Sequence, residues 1–311
     1  MAQADSKTQD FHEAEQRLFR HYGLDYQSHY VQLKDPPLRA RVIEVGSGPP
    51  LFLVHGGGAN AAFWAPLLKE LKGYRLLAVD RPGCGLTDPF NYRSCDLRSH
   101  AVSFLDGVLD ALELENVPVI ANSMGGLWSL WLALERPQRL SSLLLMGCPA
   151  LILNTGAPLP MRLLSVPGLN RVLFSLEKPS RQQARRLLRR IGHRTETLDG
   201  LPEEFFDCMY RSGQLPNFKL GWLSLLERVL RIGGPDPKLA LRAEQLAQLT
   251  QPVLFLWGDN DPFGGAEVGR RAAEAAPQAK LEVISGGHLP WLDDPVFCAK
   301  AAEGFLEQIH S

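Results

Sequence analysis

The sequence is poor in cysteine and carries no excess of charge of either sign. Its 311 residues include 5 cysteines, which lie far apart and form no Cys-x-x-Cys pair. Neither a disulfide framework nor a structural zinc site is therefore expected. The 33 Lys and Arg residues balance the 34 Asp and Glu residues, which argues against nucleic acid or another polyanion as a partner.

Long apolar runs are also missing. No stretch of the length that a membrane-spanning helix needs is apolar throughout. Residues 1–10 lack the basic start and apolar run of a signal peptide. We therefore expect a cytoplasmic protein with no membrane span. A hydrophobic content of 45% with 22% charged residues is typical of a folded globular protein and excludes a mainly disordered one.

From residue 50 onward, short apolar runs alternate with stretches of helical periodicity. The runs show no alternation with polar residues, which is typical of strands that are buried on both faces of a parallel sheet. They are Leu51–Val54, Leu76–Val79, Val117–Ala121, Ser142–Met146, Pro252–Trp257 and Lys280–Ile284. The helical stretches lie near Ala61–Leu71, His100–Leu112, Met124–Glu135, Glu267–Ala276 and Pro295–Ile309. This pattern predicts an α/β fold.

Two further elements are predicted before residue 50. Apolar residues between Phe11 and Tyr22 recur at helical spacing, which predicts a short amphipathic helix packed on the outside of the core. Tyr30–Leu33 and Leu38–Val45 flank a turn-forming stretch and predict a hairpin, with Arg41 and Ile43 on one alternating face.

The segment 150–250 interrupts the alternation of strands and helices. It is rich in Leu, Arg, Pro and Gly and contains no run typical of a buried strand. We predict a mostly helical insertion, a candidate lid, between two parts of one core, 1–149 and 251–311.

Ser123 lies between a predicted buried strand and a predicted helix. The residues two before and two after it, Ala121 and Gly125, are small. A sharp strand-to-helix turn requires small residues there if it is to hold a serine hydroxyl clear of the sheet. The free N–H groups at the start of the helix point toward this serine, and the Met124 amide is placed to stabilise an oxyanion. The alternative interpretation makes Ser123 only a helix cap.

This stretch resembles the nucleophile elbow of the α/β-hydrolase superfamily, Gly-x-Ser-x-Gly, with Ala121 in place of the first glycine. The run from His55 to Gly58 follows the first buried strand and resembles the oxyanion loop of the same superfamily. Gly57 is the expected second oxyanion donor, and Gly58 is the alternative. We interpret His55 as a structural residue that holds the loop, because a base at this position would lie on the wrong side of the nucleophile.

The resemblance also implies a base and an acid. His288, in a Gly-Gly-His run after the last predicted strand, matches the catalytic histidine. Asp261 matches the Gly-x-x-Asp pattern after the preceding strand, with Asp259 as the fallback. The superfamily's other acid position, after Ser142–Met146, offers no carboxylate.

The resemblance covers the chain outside the insertion and implies an α/β-hydrolase fold. We expect a mostly parallel eight-stranded sheet flanked by helices, with 150–250 as a helical cap. The implied activity is that of a serine hydrolase on a small-molecule ester, thioester or lactone with an apolar acyl part, without cofactor or metal. A monomer or a homodimer is expected.

Three residues are predicted to line the substrate pocket: Asn122 beside the nucleophile, and Phe206 and Trp222 from the insertion. The insertion also carries a group of arginines at positions 181, 185, 186, 189, 190 and 194. Their spacing predicts a helix with Leu187, Leu188 and Ile191 facing inward. We interpret the arginines as a solvated face of the cap; an anionic-substrate clamp and an RNA-binding stripe are the alternatives.

Two alternative functions stay open. The nucleophile and oxyanion segments also resemble those of carbon–carbon hydrolases that cleave ring-fission products of aromatic degradation, although Leu289 follows His288 where those enzymes usually have Trp. The second alternative is a small-molecule receptor with slow or no turnover, against which the intact set of catalytic residues argues. Epoxide hydrolases and haloalkane dehalogenases place Asp where this chain has Ser123.

Overall fold

The computed structural model describes residues 2–176 and 179–310. Its main sheet has eight strands: β1 (Tyr26–Gln32), β2 (Arg39–Val45), β3 (Pro50–Val54), β4 (Arg75–Val79), β5 (Val117–Ala121), β6 (Leu140–Met146), β9 (Val253–Gly258) and β10 (Ala279–Ile284). A separate small hairpin consists of β7 (Leu230–Arg231) and β8 (Gly234–Pro235). The spatial order in the main sheet is β1-β2-β4-β3-β5-β6-β9-β10.

The sheet is mostly parallel. Strand β2 pairs antiparallel with β1 and with β4, and the remaining neighbouring pairs are parallel. The central strands are buried on both faces, as their unbroken apolar runs predict. In β3, Phe52 and Val54 belong to the hydrophobic cluster on one side, and Leu51 and Leu53 belong to the cluster on the other. The predicted fold class is confirmed.

The helices follow the strands in the order that the sequence predicts. They are α1 (Ala2–His21), α2 (Ala65–Glu70), α3 (Leu97–Ala111), α4 (Ser123–Glu135), α5 (Leu159–Leu163), α6 (Leu169–Leu176), α7 (Arg181–Arg190), α8 (Thr195–Gly200), α9 (Glu203–Ser212), α10 (Phe218–Val229), α11 (Ala243–Leu246), α12 (Ala266–Ala275), α13 (Pro290–Asp293) and α14 (Pro295–His310). None of the described helices is both long and apolar enough to cross a membrane.

The N-terminal helix is longer than the sequence predicts, and its apolar residues are buried as the sequence predicts. Helix α1 has 20 residues, and Phe11, Leu18 and Phe19 are fully buried. It packs against α9, where Arg17 donates a hydrogen bond to Asp207 at 2.8 Å. Its apolar face is enclosed between the core and the insertion, while Gln9, Glu13 and Arg20 on the other face are exposed, as expected for an amphipathic helix packed on the outside of the core.

A buried ion network ties α1 to the sheet. The Arg41 guanidinium on β2 is fully buried and donates to both oxygens of Glu15 on α1 and, at 3.3 Å, to Asp80 after β4. The two acids raise the pKa of the Arg41 guanidinium against the opposing effect of burial.

The hairpin is confirmed as β1 paired antiparallel with β2. Ile43 and Val45 lie on one face of β2 and Ala40 and Val42 on the other, so Arg41 and Ile43 share a face as predicted, and both faces are buried.

The segment 150–250 contains helices α5 to α11 and the small hairpin. Residues of α7 to α9 extend one hydrophobic cluster of the core, and residues of α10 extend the other. The segment therefore packs against both hydrophobic clusters of the core. In α7 the inward face is formed by Ala184 and Leu188, and Leu187 is 45% exposed, so the prediction that Leu187 faces inward is wrong.

Candidate active site

Ser123 begins α4 directly after β5 and has a φ of +51°, in the left-handed region that is strained for a residue with a side chain. The turn is closely packed against the end of β3. A Cβ on Gly125 would lie 2.3 Å from the Val54 carbonyl oxygen, and one on Gly56 would lie 3.0 Å from the Ser123 Cβ. Only glycine fits at these two positions, and the small residues predicted around the serine therefore have a steric cause.

A buried histidine–aspartate pair lies at the ends of the last two strands. His288 Nδ1 donates to Asp261 Oδ2 at 2.7 Å, and the two side chains are 6% and 0% exposed. The carboxylate also accepts from the Cys148 amide at 2.8 Å and from the Phe263 amide at 2.9 Å. These bonds fix the carboxylate, which in turn fixes the tautomer of His288 with the proton on Nδ1.

Asp259, the fallback acid, has a different place. Its Oδ1 accepts from the Gly286 amide at 3.0 Å, and its side chain is 45% exposed. It holds the loop that leads to His288 and makes no hydrogen bond to the imidazole.

Asn122 fixes the backbone on which His288 sits. Its Nδ2 donates to the carbonyl oxygens of Met146 at 2.6 Å and of His288 at 3.0 Å. The side chain is buried and both amide hydrogens are used. Because Asn122 directly precedes Ser123, these bonds bring the histidine loop beside the serine turn. The NH2 group of Asn122 thus faces backbone carbonyls, while its Oδ1 lies toward Gly56, and a place in the pocket wall stays a prediction.

The predicted oxyanion donors lie next to each other. A Cβ on Gly57 would lie 3.9 Å from the Met124 Cβ. Within residues 2–176 and 179–310, neither the Gly57 amide nor the Met124 amide donates a hydrogen bond. The Trp222 ring covers this loop, with its Cζ3 atom 2.9 Å from the position of a Gly57 Cβ. The structure thus brings Gly57, Met124 and Trp222 together.

His55 holds the loop at residues 55–58 in place, as the sequence predicts. Its Nδ1 donates to the Gly56 carbonyl oxygen at 2.8 Å, and its Nε2 accepts from the Arg81 amide at 2.9 Å. Burial, assisted by the nearby Arg81 guanidinium, holds the pKa of His55 well below its ordinary value. His55 therefore stays neutral and has both ring nitrogens occupied.

Phe206 does not line the same space as Trp222. It is fully buried, packs edge-on against Phe205 and is covered by the Arg185 guanidinium at 3.9 Å. It contributes to the packing of α7 on α9, which corrects the prediction that it lines the pocket. Apolar character alone does not distinguish a wall residue from a packing residue.

Two of the arginines of α7 pair with acids of the same segment, and the other three are exposed. Arg185 pairs with Glu203 and donates to the Leu198 carbonyl oxygen at 2.9 Å, and Arg181 pairs with Asp207 at 2.8 Å. Arg186, Arg189 and Arg190 are exposed. This arrangement agrees with the interpretation of a solvated face.

Two contacts of the site have no local signal in the sequence. The Phe263 ring lies against the His288 imidazole, with centroids 4.3 Å apart. The Cys148 amide supports Asp261 from the end of β6, the position where the sequence offers no second carboxylate. Both contacts depend on the relative placement of separate strands.

Comparisons with known proteins agree with this geometry. The profile of a family described as alpha/beta hydrolase fold matches residues 49–295. A 2-hydroxy-6-oxononadienedioate/2-hydroxy-6-oxononatrienedioate hydrolase of Cupriavidus pinatubonensis is 29% identical over 269 residues, which are 83% of this chain and 87% of that protein. A 2-hydroxy-6-oxo-6-phenylhexa-2,4-dienoate hydrolase of Comamonas testosteroni is 27% identical over 78% of this chain and 82% of its own length.

Solved structures show the same fold. A carboxylesterase of Bacillus subtilis superposes with a TM-score of 0.76 at 19% identity, over 97% of this chain and 98% of that one. A meta-cleavage product hydrolase of Pseudomonas fluorescens superposes with a TM-score of 0.71 at 24% identity, over 90% and 97% of the two chains. With the profile match spanning well over half of its length, this chain belongs to the α/β-hydrolase family.

Proposed function

We propose that this hydrolase cleaves a carboxylic ester, thioester or lactone with an apolar acyl part, through an acyl-enzyme on Ser123. The observation that carries the proposal is the buried His288–Asp261 pair at 2.7 Å, tied through Asn122 to the strained serine turn. A positioned imidazole beside a serine on such a turn is the arrangement that activates a hydroxyl for nucleophilic attack.

In the proposed reaction, His288 Nε2 takes the proton of the Ser123 hydroxyl as Oγ attacks the substrate carbonyl carbon. The carbonyl oxygen becomes an oxyanion and accepts hydrogen bonds from the Gly57 and Met124 amides. His288 then protonates the leaving alcohol or thiol, and the acyl group stays on Ser123. Water, deprotonated by the same imidazole, attacks the acyl carbon; the bond to Ser123 Oγ then breaks, the imidazolium returns its proton to Oγ, and the acid is released. Asp261 stabilises the imidazolium in both steps.

We propose that the segment 150–250 acts as the cap over this site and that Trp222 is part of the wall for the acyl group. Support comes from the Trp222 ring on the Gly57–Gly58 loop and from its half-buried state. Each methylene that the wall buries contributes up to about 0.8 kcal/mol to transition-state binding.

Carbon–carbon bond hydrolysis is the second candidate, and similarity to the relatives named above favours it. The names of those relatives describe anionic dienone acids, which require a cationic partner in the pocket. In this chain Arg181 and Arg185 are paired with acids of the cap, and the Asn122 amide is used on backbone carbonyls. Leu289, which is buried, follows His288. These features favour a neutral ester.

The deciding experiment compares p-nitrophenyl esters of rising acyl length with a dienone ring-fission acid, using wild type and Ser123→Ala. We expect ester turnover that depends on Ser123 and falls by about 10³-fold or more in the variant. Trp222→Ala should change the preferred acyl length, and Leu187→Ala, on the exposed side of α7, serves as the matched control. Efficient cleavage of the dienone acid with ester rates orders of magnitude lower would select the second candidate. Ligand binding without turnover of either substrate would select a receptor.

A further inference from the structure

The end of α7 contacts both loops that carry the acid and the histidine. The His288 amide donates to the Ile191 carbonyl oxygen at 2.9 Å, and Asn260 Nδ2 donates to the Gly192 carbonyl oxygen at 2.7 Å. The approach is so close that a Cβ on Gly192 would lie 2.1 Å from the Asn260 carbonyl oxygen. The segment 191–193 is therefore in close contact with the backbone of the site, and no residue larger than glycine fits at Gly192.

We call the contact between residues 191–193 and the two loops the seam. A second buried histidine–aspartate pair lies at this seam. Asp293, on α13, accepts from His193 Nδ1 at 2.9 Å and from the Gly287 amide at 2.9 Å through Oδ2, and from the Thr197 hydroxyl at 2.6 Å through Oδ1. The His193 and Asp293 side chains are 0% and 3% exposed. The Asp293 carboxylate that binds the Gly287 amide is held in place by hydrogen bonds from His193 and Thr197. These two residues of the segment 150–250 therefore help to fix the position of the Gly287 amide.

The backbone of His288 is consequently fixed from two directions. Its amide, and the Gly287 amide before it, are held through the seam, and its carbonyl oxygen is held by Asn122 in the core. A side chain that transfers protons depends on such placement, since a displacement of about 1 Å can cost about 100-fold in rate.

We propose that His193 and Asp293 are positioning residues for the catalytic histidine, so that the cap sets the proton-transfer geometry as well as the walls of the pocket. This inference rests on the proposed function of His288 as the base. The bonds within the seam hold the loop at 286–288 so that the imidazole faces Ser123 while Asp261 keeps its tautomer. Loss of the His193 donor releases Asp293 and loosens the Gly287 amide, and the transfer step slows without loss of substrate binding.

The test compares three variants at the seam. His193→Ala removes the donor to Asp293, whereas in His193→Asn the side-chain amide nitrogen takes the place of Nδ1. Arg194→Ala is the matched control, because it breaks only the exposed contact of 3.9 Å with Asp259 at the same seam. For His193→Ala we expect kcat with a p-nitrophenyl ester to fall about 10- to 100-fold while KM changes by less than about threefold. His193→Asn and Arg194→Ala should stay within about threefold of wild type.

Two readouts separate positioning from general stability. The low-field proton NMR signal of the His288 imidazole should shift or broaden in His193→Ala and be restored in His193→Asn. Hydrogen exchange of the Gly287 amide should be faster in His193→Ala than in wild type. A folded His193→Ala enzyme with wild-type kcat, pH profile and Gly287 exchange overturns the proposal, and so does a His193→Asn enzyme as impaired as His193→Ala.

If His193→Ala does not fold, Thr197→Val removes the other side-chain donor to Asp293 with little change in shape. The proposal then requires a lower kcat at unchanged KM, and wild-type kcat in Thr197→Val overturns it. Failure of the proposed function has a different signature. In that case the wild-type enzyme itself shows neither ester turnover nor labelling of Ser123 by a fluorophosphonate, whereas the exchange of the Gly287 amide still reports whether His193 holds the loop.

Discussion

Replacing Asp261 by Asn tests the assignment of the acid most directly. Asp261 accepts three hydrogen bonds through two oxygens: Oδ2 serves His288 and Cys148, and Oδ1 serves Phe263. An asparagine has one oxygen, so in either orientation its NH2 group faces a buried donor. With the oxygen at the Oδ2 position, the Phe263 amide loses its acceptor. In the reverse orientation, the Cys148 amide loses its acceptor and the imidazole is driven to the tautomer that cannot accept the proton from Ser123.

The expected magnitude follows from these contacts. One unsatisfied buried N–H costs about 1–3 kcal/mol of folding free energy, and loss of the orienting carboxylate lowers kcat by about 10⁴-fold in other serine triads. Asp259→Asn is the matched control. Asp259 accepts one bond, from the Gly286 amide, and is 45% exposed, so water replaces what is lost and we expect kcat within about threefold of wild type.

The measurement is steady-state hydrolysis of a p-nitrophenyl ester, with urea unfolding of each variant to separate lost stability from lost catalysis. An Asp261→Asn enzyme that keeps more than about a tenth of the wild-type kcat would refute the assignment. An equal loss of kcat in both variants would show that the whole loop, and no single carboxylate, is responsible.

Three further predictions concern the scaffold. Gly125→Ala places a Cβ 2.3 Å from a strand carbonyl oxygen, whereas in Gly126→Ala the nearest atoms are carbons of Pro149 and Leu145 at 3.3 to 3.5 Å. The first variant should lose activity and about 1–3 kcal/mol of stability, and equal thermal melting of the two variants would contradict this reasoning. Arg41→Leu leaves two buried acids without their cationic partner and should lower the free energy of unfolding in urea by about 3–5 kcal/mol. Arg75→Leu should lower it by less than about 1 kcal/mol, because the pair of Arg75 with a glutamate is partly exposed. Burial, with a smaller effect of a nearby arginine, lowers the pKa of His100 from 6.5 to about 4. Between pH 6.5 and pH 4 the imidazole of His100 is therefore protonated in the unfolded chain and neutral in the folded one, so the free energy of unfolding falls as the pH drops through this range. His100→Phe should remove up to about 3 kcal/mol of the difference in unfolding free energy between pH 7 and pH 4, and an unchanged difference would contradict it.

The sequence predicted the central part of the fold better than its edges. The bounds of β5 match the predicted Val117–Ala121, because a strand buried on both faces leaves an unbroken apolar run. Strand β1 begins at Tyr26, four residues before the prediction. It forms an edge of the sheet and is half exposed, so its polar residues carry no strand pattern. The contact of α1 with α9 was missed for a related reason, because α9 lies in a distant part of the chain.

The contacts around the site divide in the same way. The NH2 group of Asn122 donates to the carbonyls of Met146 and His288, and its neighbours in the sequence do not reveal these two bonds. His193 and Asp293 are separated by 100 residues, and nothing in either local sequence indicates the pair. A hydrogen bond between side chains that are far apart in the sequence produces no periodicity or residue spacing from which it could be predicted.

The residues packed around the serine turn and the residues of the segment 150–250 differ in how strongly the backbone constrains them, and this difference explains why only the former leave a motif in the sequence. At Gly125 and Gly147 a Cβ would lie within 2.3 Å of backbone oxygens on neighbouring strand ends or loops. Such close approach admits one residue type, so it leaves a motif in the sequence. Trp222 and Phe206 are both large aromatic residues of the segment 150–250, yet one covers the Gly57–Gly58 loop and the other packs α7 on α9. Packing of this kind accepts many apolar residues, and only the folded arrangement distinguishes the two places.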